Sequence, residues 1–254
     1  MLRSFVERAT RNLVFKRRLP PEFGRVPVIV SPAARLSYLF RSMRSIEPDL
    51  LGQASEFVKP SAVVWDIGAN IGLFSFSAAQ RAGPKGQVVA VEPDIWLVQL
   101  LRRTSKHQPQ SSAPVTIVPC AIASSVGIRT FCIAARCRSA NFLAEYGTSQ
   151  TGGTRERQTV GTLTLDSLLS NLPVPDLLKI DTEGAEFEVF QGAQSLFRSH
   201  RPVVLCEVST AAAPAVTEFL FSFGYEIFDG KVPLKERRRV SRATWSTIAI
   251  PAGG

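Results

Sequence analysis

The sequence predicts an α/β fold: an open, mostly parallel seven-stranded sheet with helices on both faces and a basic N-terminal extension. Three observations predict it. Strand-length apolar runs alternate with segments of helical period, a glycine turn links the first such strand to its helix, and acids stand at the ends of successive strands.

Residues 1–57 read as a mainly helical, basic extension and residues 58–254 as the main domain. In the extension, Leu2, Phe5, Val6, Ala9 and Leu13 recur near helical spacing beside Arg3, Arg8, Arg11 and Lys16. That spacing fits a helix packed on its own domain, and equally a basic amphipathic helix on an anionic membrane. Val63 to Trp65 is the kind of apolar run that a strand buried on both faces requires, with Asp66 at its carboxyl end. Gly68 and Gly72 permit the tight turn, Asn70 tolerates a left-handed backbone, and Leu73 to Ala82 supplies the helix. A second strand, Gln87 to Val91, ends at Glu92. Ile95 to Thr104 reads as a helix and Val115 to Cys120 as the third strand, followed by an added strand at Ile128 to Ile133. Ser139 to Gln158, rich in Gly, Ser and Thr, reads as a mobile loop.

Extended character resumes at Thr159 to Leu165, and Asp166 to Leu169 reads as a short helix. Asp176 to Asp181 is the fourth core strand. Phe187, Phe190, Ala193 and Phe197 then repeat as on one helix. Val203 to Glu207 is the fifth strand, followed by a helix carrying Val216, Phe219, Leu220 and Phe223. Tyr225 to Phe228 and Thr247 to Ile250 close the sheet.

Composition sets bounds. The net charge of +9 resides in residues 1–25, which carry +5, and residues 235–242, which carry +4. The rest is balanced, so basicity alone does not indicate specific nucleic-acid binding; peripheral contact with an anionic membrane is the partner these patches would suit. No run approaches the about 18 apolar residues of a membrane span. The N-terminus lacks a continuous signal-peptide core, so a cytoplasmic setting is expected, with Cys120, Cys132, Cys137 and Cys206 as free thiols.

The turn reads Asp66-Ile67-Gly68-Ala69-Asn70-Ile71-Gly72. A dinucleotide fingerprint puts glycine where Asn70 stands, because a pyrophosphate must lie against the backbone. S-adenosyl-L-methionine has no pyrophosphate. Its ammonium and carboxylate suit an acid before the turn and free amides at a helix start, and Glu92 is placed to accept from two ribose hydroxyls. The pattern favours the methyl donor.

A second segment, Leu163 to Phe197, carries TLDSLL before the fourth strand and KIDTEGAE after it, followed by RPVVLCEVS and FGYEIF. With the first motif, it resembles the FkbM family of S-adenosylmethionine-dependent methyltransferases over roughly Val58 to Phe228. One departure is Arg102-Arg103-Thr104-Ser105-Lys106, where members often carry an Asn-rich helix end. The resemblance implies a class I, Rossmann-like methyltransferase acting on hydroxyls of small molecules, polyketide-type products or sugars. It places Asp66, Gly68, Asn70, Gly72 and Glu92 on the cofactor motif, Cys120, Ala121 and Ile122 beside the adenine, and Asp181, Glu183 and Glu186 on the second signature.

Methyl transfer to a hydroxyl is an in-line displacement that also requires loss of a proton. His107 and His200 are expected at the far edge of the sheet. Asp181, Glu183, Glu186, Glu207 and Lys179 remain as candidate bases, Lys179 either as a base depressed by burial or as a neutralising partner of Asp181. Asp181, Glu183 and Lys179 are the assigned catalytic candidates. The spacing of the acids demands no metal. Two other functional classes stay open: a dinucleotide-dependent oxidoreductase, and a cofactor-binding scaffold without catalysis. Neither the acceptor nor the oligomeric state is legible.

Overall fold

The computed structural model describes residues 10–146 and 152–253. Its strands are β1 (Phe15–Arg18), β2 (Pro27–Val30), β3 (Val63–Ile67), β4 (Gln87–Val91), β5 (Val115–Val118), β6 (Ala121–Ile122) and β7 (Gly127–Ala134). They continue as β8 (Phe142–Leu143), β9 (Thr154–Leu163), β10 (Leu177–Ile180), β11 (Val203–Glu207), β12 (Tyr225–Asp229), β13 (Arg239–Val240) and β14 (Ser246–Pro251).

The main sheet runs β13-β12-β14-β11-β10-β3-β4-β5. The strands β11, β10, β3, β4 and β5 are mutually parallel, while β14 is antiparallel to both β11 and β12. The expected seven strands are therefore present, with the two-residue β13 as an eighth at the edge. Consecutive residues alternate between two cores, as the pleat requires. Val64, Val88, Ala90, Leu177 and Leu205 face the helices Pro48–Phe57, Leu73–Ala82 and Ile95–Ser105. Trp65, Ile67, Val89, Val91, Leu178, Ile180 and Val204 face the helices Leu165–Leu168, Glu186–Gln191, Gln194–Ser199 and Ala213–Ser222. The chain reverses its direction of winding between β3 and β10, the switch point at which open α/β sheets bind ligands.

Three expectations are corrected. The described part of the N-terminal extension is not all helix: β1 and β2 form an antiparallel hairpin beside the 3-10 turns Pro21–Phe23 and Leu36–Leu39 and the helices Met43–Ile46 and Pro48–Phe57. Val28, Ile29 and Val30 bury on the helix Ile95–Ser105, where the Ile29 N–H donates to Thr104 Oγ1 at 2.9 Å. This docking, a long-range contact, selects strand over helix. The amphipathic spacing read around Phe5 falls on residues outside those described.

Ser139 to Gln158 is not one loop. Its described residues include β8 and the start of β9, and β9 pairs antiparallel with β7 in a second sheet of order β6-β9-β7-β8. Polar alternation on β9 disguised it, since Thr154–Gln158 is largely solvent-facing. The single helix expected after the fourth strand is two, Glu186–Gln191 and Gln194–Ser199, interrupted at Gly192 and Ala193. Both halves keep Phe190 and Phe197 in the core, their ring centroids 5.5 Å apart, which preserves the apolar spacing across the break.

The basic run 235–242 is partly consumed in structure. Arg237 pairs with Glu56 at 2.6 Å and stacks over Phe57 at 6.0 Å, and Arg239 pairs with Glu226 at 2.5 Å. Lys235, Arg238 and Arg242 are exposed. No helix among the described residues is long and apolar enough to cross a membrane. All four cysteines are free thiols.

Candidate active site

The glycine turn after β3 is built for close approach. Gly68 has φ 78°, and a Cβ there would lie 1.8 Å from the Asp181 carbonyl oxygen, so nothing larger than hydrogen fits between the ends of β3 and β10. Asn70 adopts the left-handed backbone anticipated for it, φ 53°, and its Oδ1 accepts from the Ile71 N–H at 2.8 Å. Glu92 ties this turn to the next strand end. Its Oε2 accepts from the Asn70 N–H and its Oε1 from the Asp94 N–H, both at 2.8 Å. Burial pushes the Glu92 carboxyl up to about 8, against those two hydrogen bonds.

A cleft opens beside these residues, lined by Gly68, Asn70, Glu92, Ala121, Ile122, Asp181 and Glu183. Sequence reasoning missed its far wall. Phe131, Arg138, Ser139, Asn141 and Leu143, from the second sheet and its turn, close the cleft opposite the glycine loop. Arg138 stacks over Trp96 at 4.7 Å and pairs with Asp94, to whose Oδ2 Asn141 Nδ2 also donates at 2.9 Å. Asp94 in turn caps the helix Ile95–Ser105 through Oδ1 to the Trp96 N–H at 2.9 Å. The wall is therefore locked to the strand end that carries Glu92. No local motif announced it, because the contacts span more than forty residues.

Register assembles the charged centre. Lys179 on β10 sits opposite Asp66 on β3 and Leu205 on β11, so Asp66, Lys179, Asp181 and Glu207 share one face at the carboxyl edge. Lys179 Nζ lies 3.1 Å from Asp66 Oδ1, 3.6 Å from Asp181 Oδ2 and 3.3 Å from the Gly68 carbonyl oxygen. Asp66 is fully buried and also accepts from Ser75 Oγ at 2.5 Å. Burial works against the lysine's charge, but Asp66 and Asp181 outweigh it and hold the amine above the ordinary lysine value. A depressed lysine base does not fit this geometry; a charge partner does.

The carboxyls beside it are shifted the other way. Glu183 stands in a left-handed conformation, φ 52°, in the turn after β10. Its side chain opens onto the cleft, yet surrounding protein and the nearby Asp181, Glu207 and Glu186 raise it to about 8. Glu207 is raised to about 7 by burial and by Asp181. Glu186 is buried, raised by that burial, and accepts from the Gly184 N–H at 2.6 Å. His107 and His200 fall at helix ends and line none of the clefts described for this site. Among the described residues no group of three or more His, Cys, Asp or Glu is arranged to hold a metal ion.

Glu188 is a further residue the sequence did not mark. Despite partial burial, Arg129 at 2.9 Å, Tyr146 at 2.5 Å and the Ser124 amide and hydroxyl at 3.1 and 3.0 Å lower its carboxyl to about 2. It pins the second sheet to the helix Glu186–Gln191.

A family model described as the methyltransferase FkbM domain matches residues 66–227. Hexuronic acid methyltransferase AglP of Haloferax volcanii is 28% identical over 179 residues, covering 68% of this chain and 67% of that protein. AMB antimetabolite synthetase AmbE of Pseudomonas aeruginosa is 26% identical over 208 residues, 66% of this chain but 10% of that protein. Among solved structures, methyltransferase FkbM of Methylobacillus flagellatus KT superposes with a TM-score of 0.48 at 18% identity, covering 74% of this chain and 43% of that one. The PH0793 protein of Pyrococcus horikoshii gives 0.50 at 11%, covering 93% and 70%. The glycine turn with its strand-end acids and the KIDTEGAE segment both lie inside the matched stretch, and the chain belongs to the FkbM family of S-adenosylmethionine-dependent methyltransferases.

Proposed function

We propose that this methyltransferase acts on a hydroxyl oxygen of a small molecule, a sugar or a polyketide-type product, with Asp181 and Glu183 at the reacting centre. One observation carries the reading: the cleft beside Glu92 and a second cavity lined by Tyr38, Leu50, Phe74, Lys179 and Glu207 meet along Gly68, Asn70 and Ser139 and at Asp181 and Glu183. A donor on one side and an acceptor on the other would face each other there.

The residues present fit S-adenosylmethionine. Gly68 and Asn70 line the cleft through a side-chain-poor turn, each Glu92 oxygen retains a lone pair for a ribose hydroxyl, and Val91, Ile122, Phe131 and Leu143 offer apolar surface for a base. Bound, the cofactor supplies an electrophilic methyl on a sulfonium. Asp66 and Lys179 fix the floor of the site as a buried pair. Asp181 presents negative charge toward the cavity junction, and Glu183, raised to about 8, is poised to take the acceptor's proton near neutral pH. The oxidoreductase reading is set aside by the family match and by Asn70 at the position a pyrophosphate would need.

The reading is tested by incubating the protein with methyl-labelled donor and a panel of hydroxylated sugars and small metabolites. It predicts an alkali-stable methyl ether; label recovered only as an ester or an N-methyl group would reject it. Glu92→Ala is expected to weaken donor binding by about 1.5–3 kcal/mol above pH 8, where the carboxyl is ionised, as for hydrogen bonds to a charged group. Calorimetric titration showing unchanged affinity would remove Glu92 from the donor site.

A further inference from the structure

Beyond the junction lies a third cavity of ≈ 580 Å³, open to solvent and lined by Asp181, Glu183, Gly184, Glu186, Glu207, Ser209, Thr210 and Trp245. It shares Asp181 and Glu183 with the donor cleft, but not Gly68, Asn70 or Glu92. Trp245 is 52% exposed and also lines the acceptor cavity, so its indole is an apolar wall common to both spaces. The Val208 N–H donates to the Trp245 carbonyl oxygen at 2.9 Å, which fixes that backbone beside the end of β11.

Two independent features point to a ligand. Glu186 is 1% exposed; Oε1 is held by the Gly184 N–H, while Oε2 has no hydrogen bond of ordinary length, although the Ser209 amide and hydroxyl lie close enough to the carboxyl to favour its ionised form. A buried acceptor left open is costly, and a donor entering the cavity would satisfy it. The other feature is charge. Four carboxyl side chains line the cavity and no basic one does. The cations of the adjoining space are already matched: Lys179 with Asp66 and Asp181, Arg35 with Glu47, and Lys231 with Asp49. Of the four, only Asp181 has a cation partner, and an aromatic face beside three carboxyls without one is the chemistry that recognises an ammonium group, whose charge would draw these raised carboxyls into their ionised form.

Building on the hydroxyl-methylation reading, we propose that this cavity is an acceptor subsite for an ammonium-bearing polyol of amino-sugar size, its amine directed to Glu186 and Glu207 and its ring against Trp245. The acceptor hydroxyl would then reach the junction at Asp181 and Glu183. A hexuronic acid, the acceptor class named for AglP, would instead bring a carboxylate toward four carboxyls.

The test uses the full chain saturated with S-adenosylhomocysteine at neutral pH, titrated with D-glucosamine, D-glucose and D-glucuronate, three rings that differ in charge. Glucosamine should bind at least tenfold more tightly than glucuronate, with glucose between. Trp245→Ala should erase at least tenfold of the glucosamine affinity and Trp245→Phe should retain most of it. The affinity for S-adenosylhomocysteine should stay unchanged in both variants. Equal or tighter binding of glucuronate, no binding of any of the three sugars, or an unaffected Trp245→Ala variant would overturn the inference. Failure of S-adenosylhomocysteine to bind, or transfer of the methyl group to nitrogen or carboxylate in every acceptor, would instead defeat the underlying function.

Discussion

Lys179→Met is expected to destabilise the protein by about 3–5 kcal/mol, because it strips the charge partner from a fully buried aspartate while keeping most of the side-chain volume. Removing one member of such a pair leaves Asp66 with a single side-chain donor, the Ser75 hydroxyl, in a site that water does not reach. Against a total stability of about 5–15 kcal/mol for a natural domain, that is a large fraction. The pH dependence gives a second readout. Lys179 is raised above 10.5 in the folded state, so its contribution is complete below that value and is lost only as pH rises through the folded pKa. Urea unfolding at pH 7 measures the deficit, and a series carried above pH 10.5 measures the loss of the lysine's contribution. A loss below about 1 kcal/mol at pH 7 would show that the pair contributes little and that its conformation is imposed by the sheet alone.

Glu183→Gln is expected to lower kcat by about 10²–10⁴-fold, the range for a positioned general base, while changing the affinity for S-adenosylhomocysteine much less. The sign of the pH effect follows from the direction of the shifts. Glu183 is raised to about 8 and Glu207 to about 7, and a base works only when deprotonated, so kcat/KM should rise with pH across that interval and level above it. Glutamine at 183 should remove the upper part of that limb. Equal losses in turnover and product affinity would assign Glu183 to holding the turn, consistent with its left-handed backbone at φ 52°. A profile flat between pH 6 and 9 would exclude both carboxyls as the base.

The same shifts bear on stability. Glu92, Glu183 and Glu207 are raised above the ordinary glutamate value of 4.5, so the ligand-free protein gains most from them below that pH. That gain is lost as pH rises through about 7 to 8. The crowded carboxyls thus weaken the ligand-free fold at neutral and higher pH.

The sequence by itself determined the sheet, the glycine turn and the strand-end acids. Each is local: buried parallel strands must be continuously apolar, the Gly68 position admits only glycine, and acids at strand ends gather at the carboxyl edge, where Glu92 and Asp181 line the cleft while Asp66 is buried beneath it. Tertiary structure decided the rest. The β1–β2 hairpin is selected by docking on the helix Ile95–Ser105, and β9 by pairing with β7, neither of which leaves a strong periodic trace in the chain. Lys179 could be read as base or partner until register set it opposite Asp66, 113 residues away in the chain, where two carboxylates keep it charged. Arg138, Asn141 and Trp245 entered the clefts only through folding. A side chain's neighbours along the chain are fixed by sequence, but its electrostatic surroundings are the sum over elements brought together from far apart, and that sum exists only in the folded molecule.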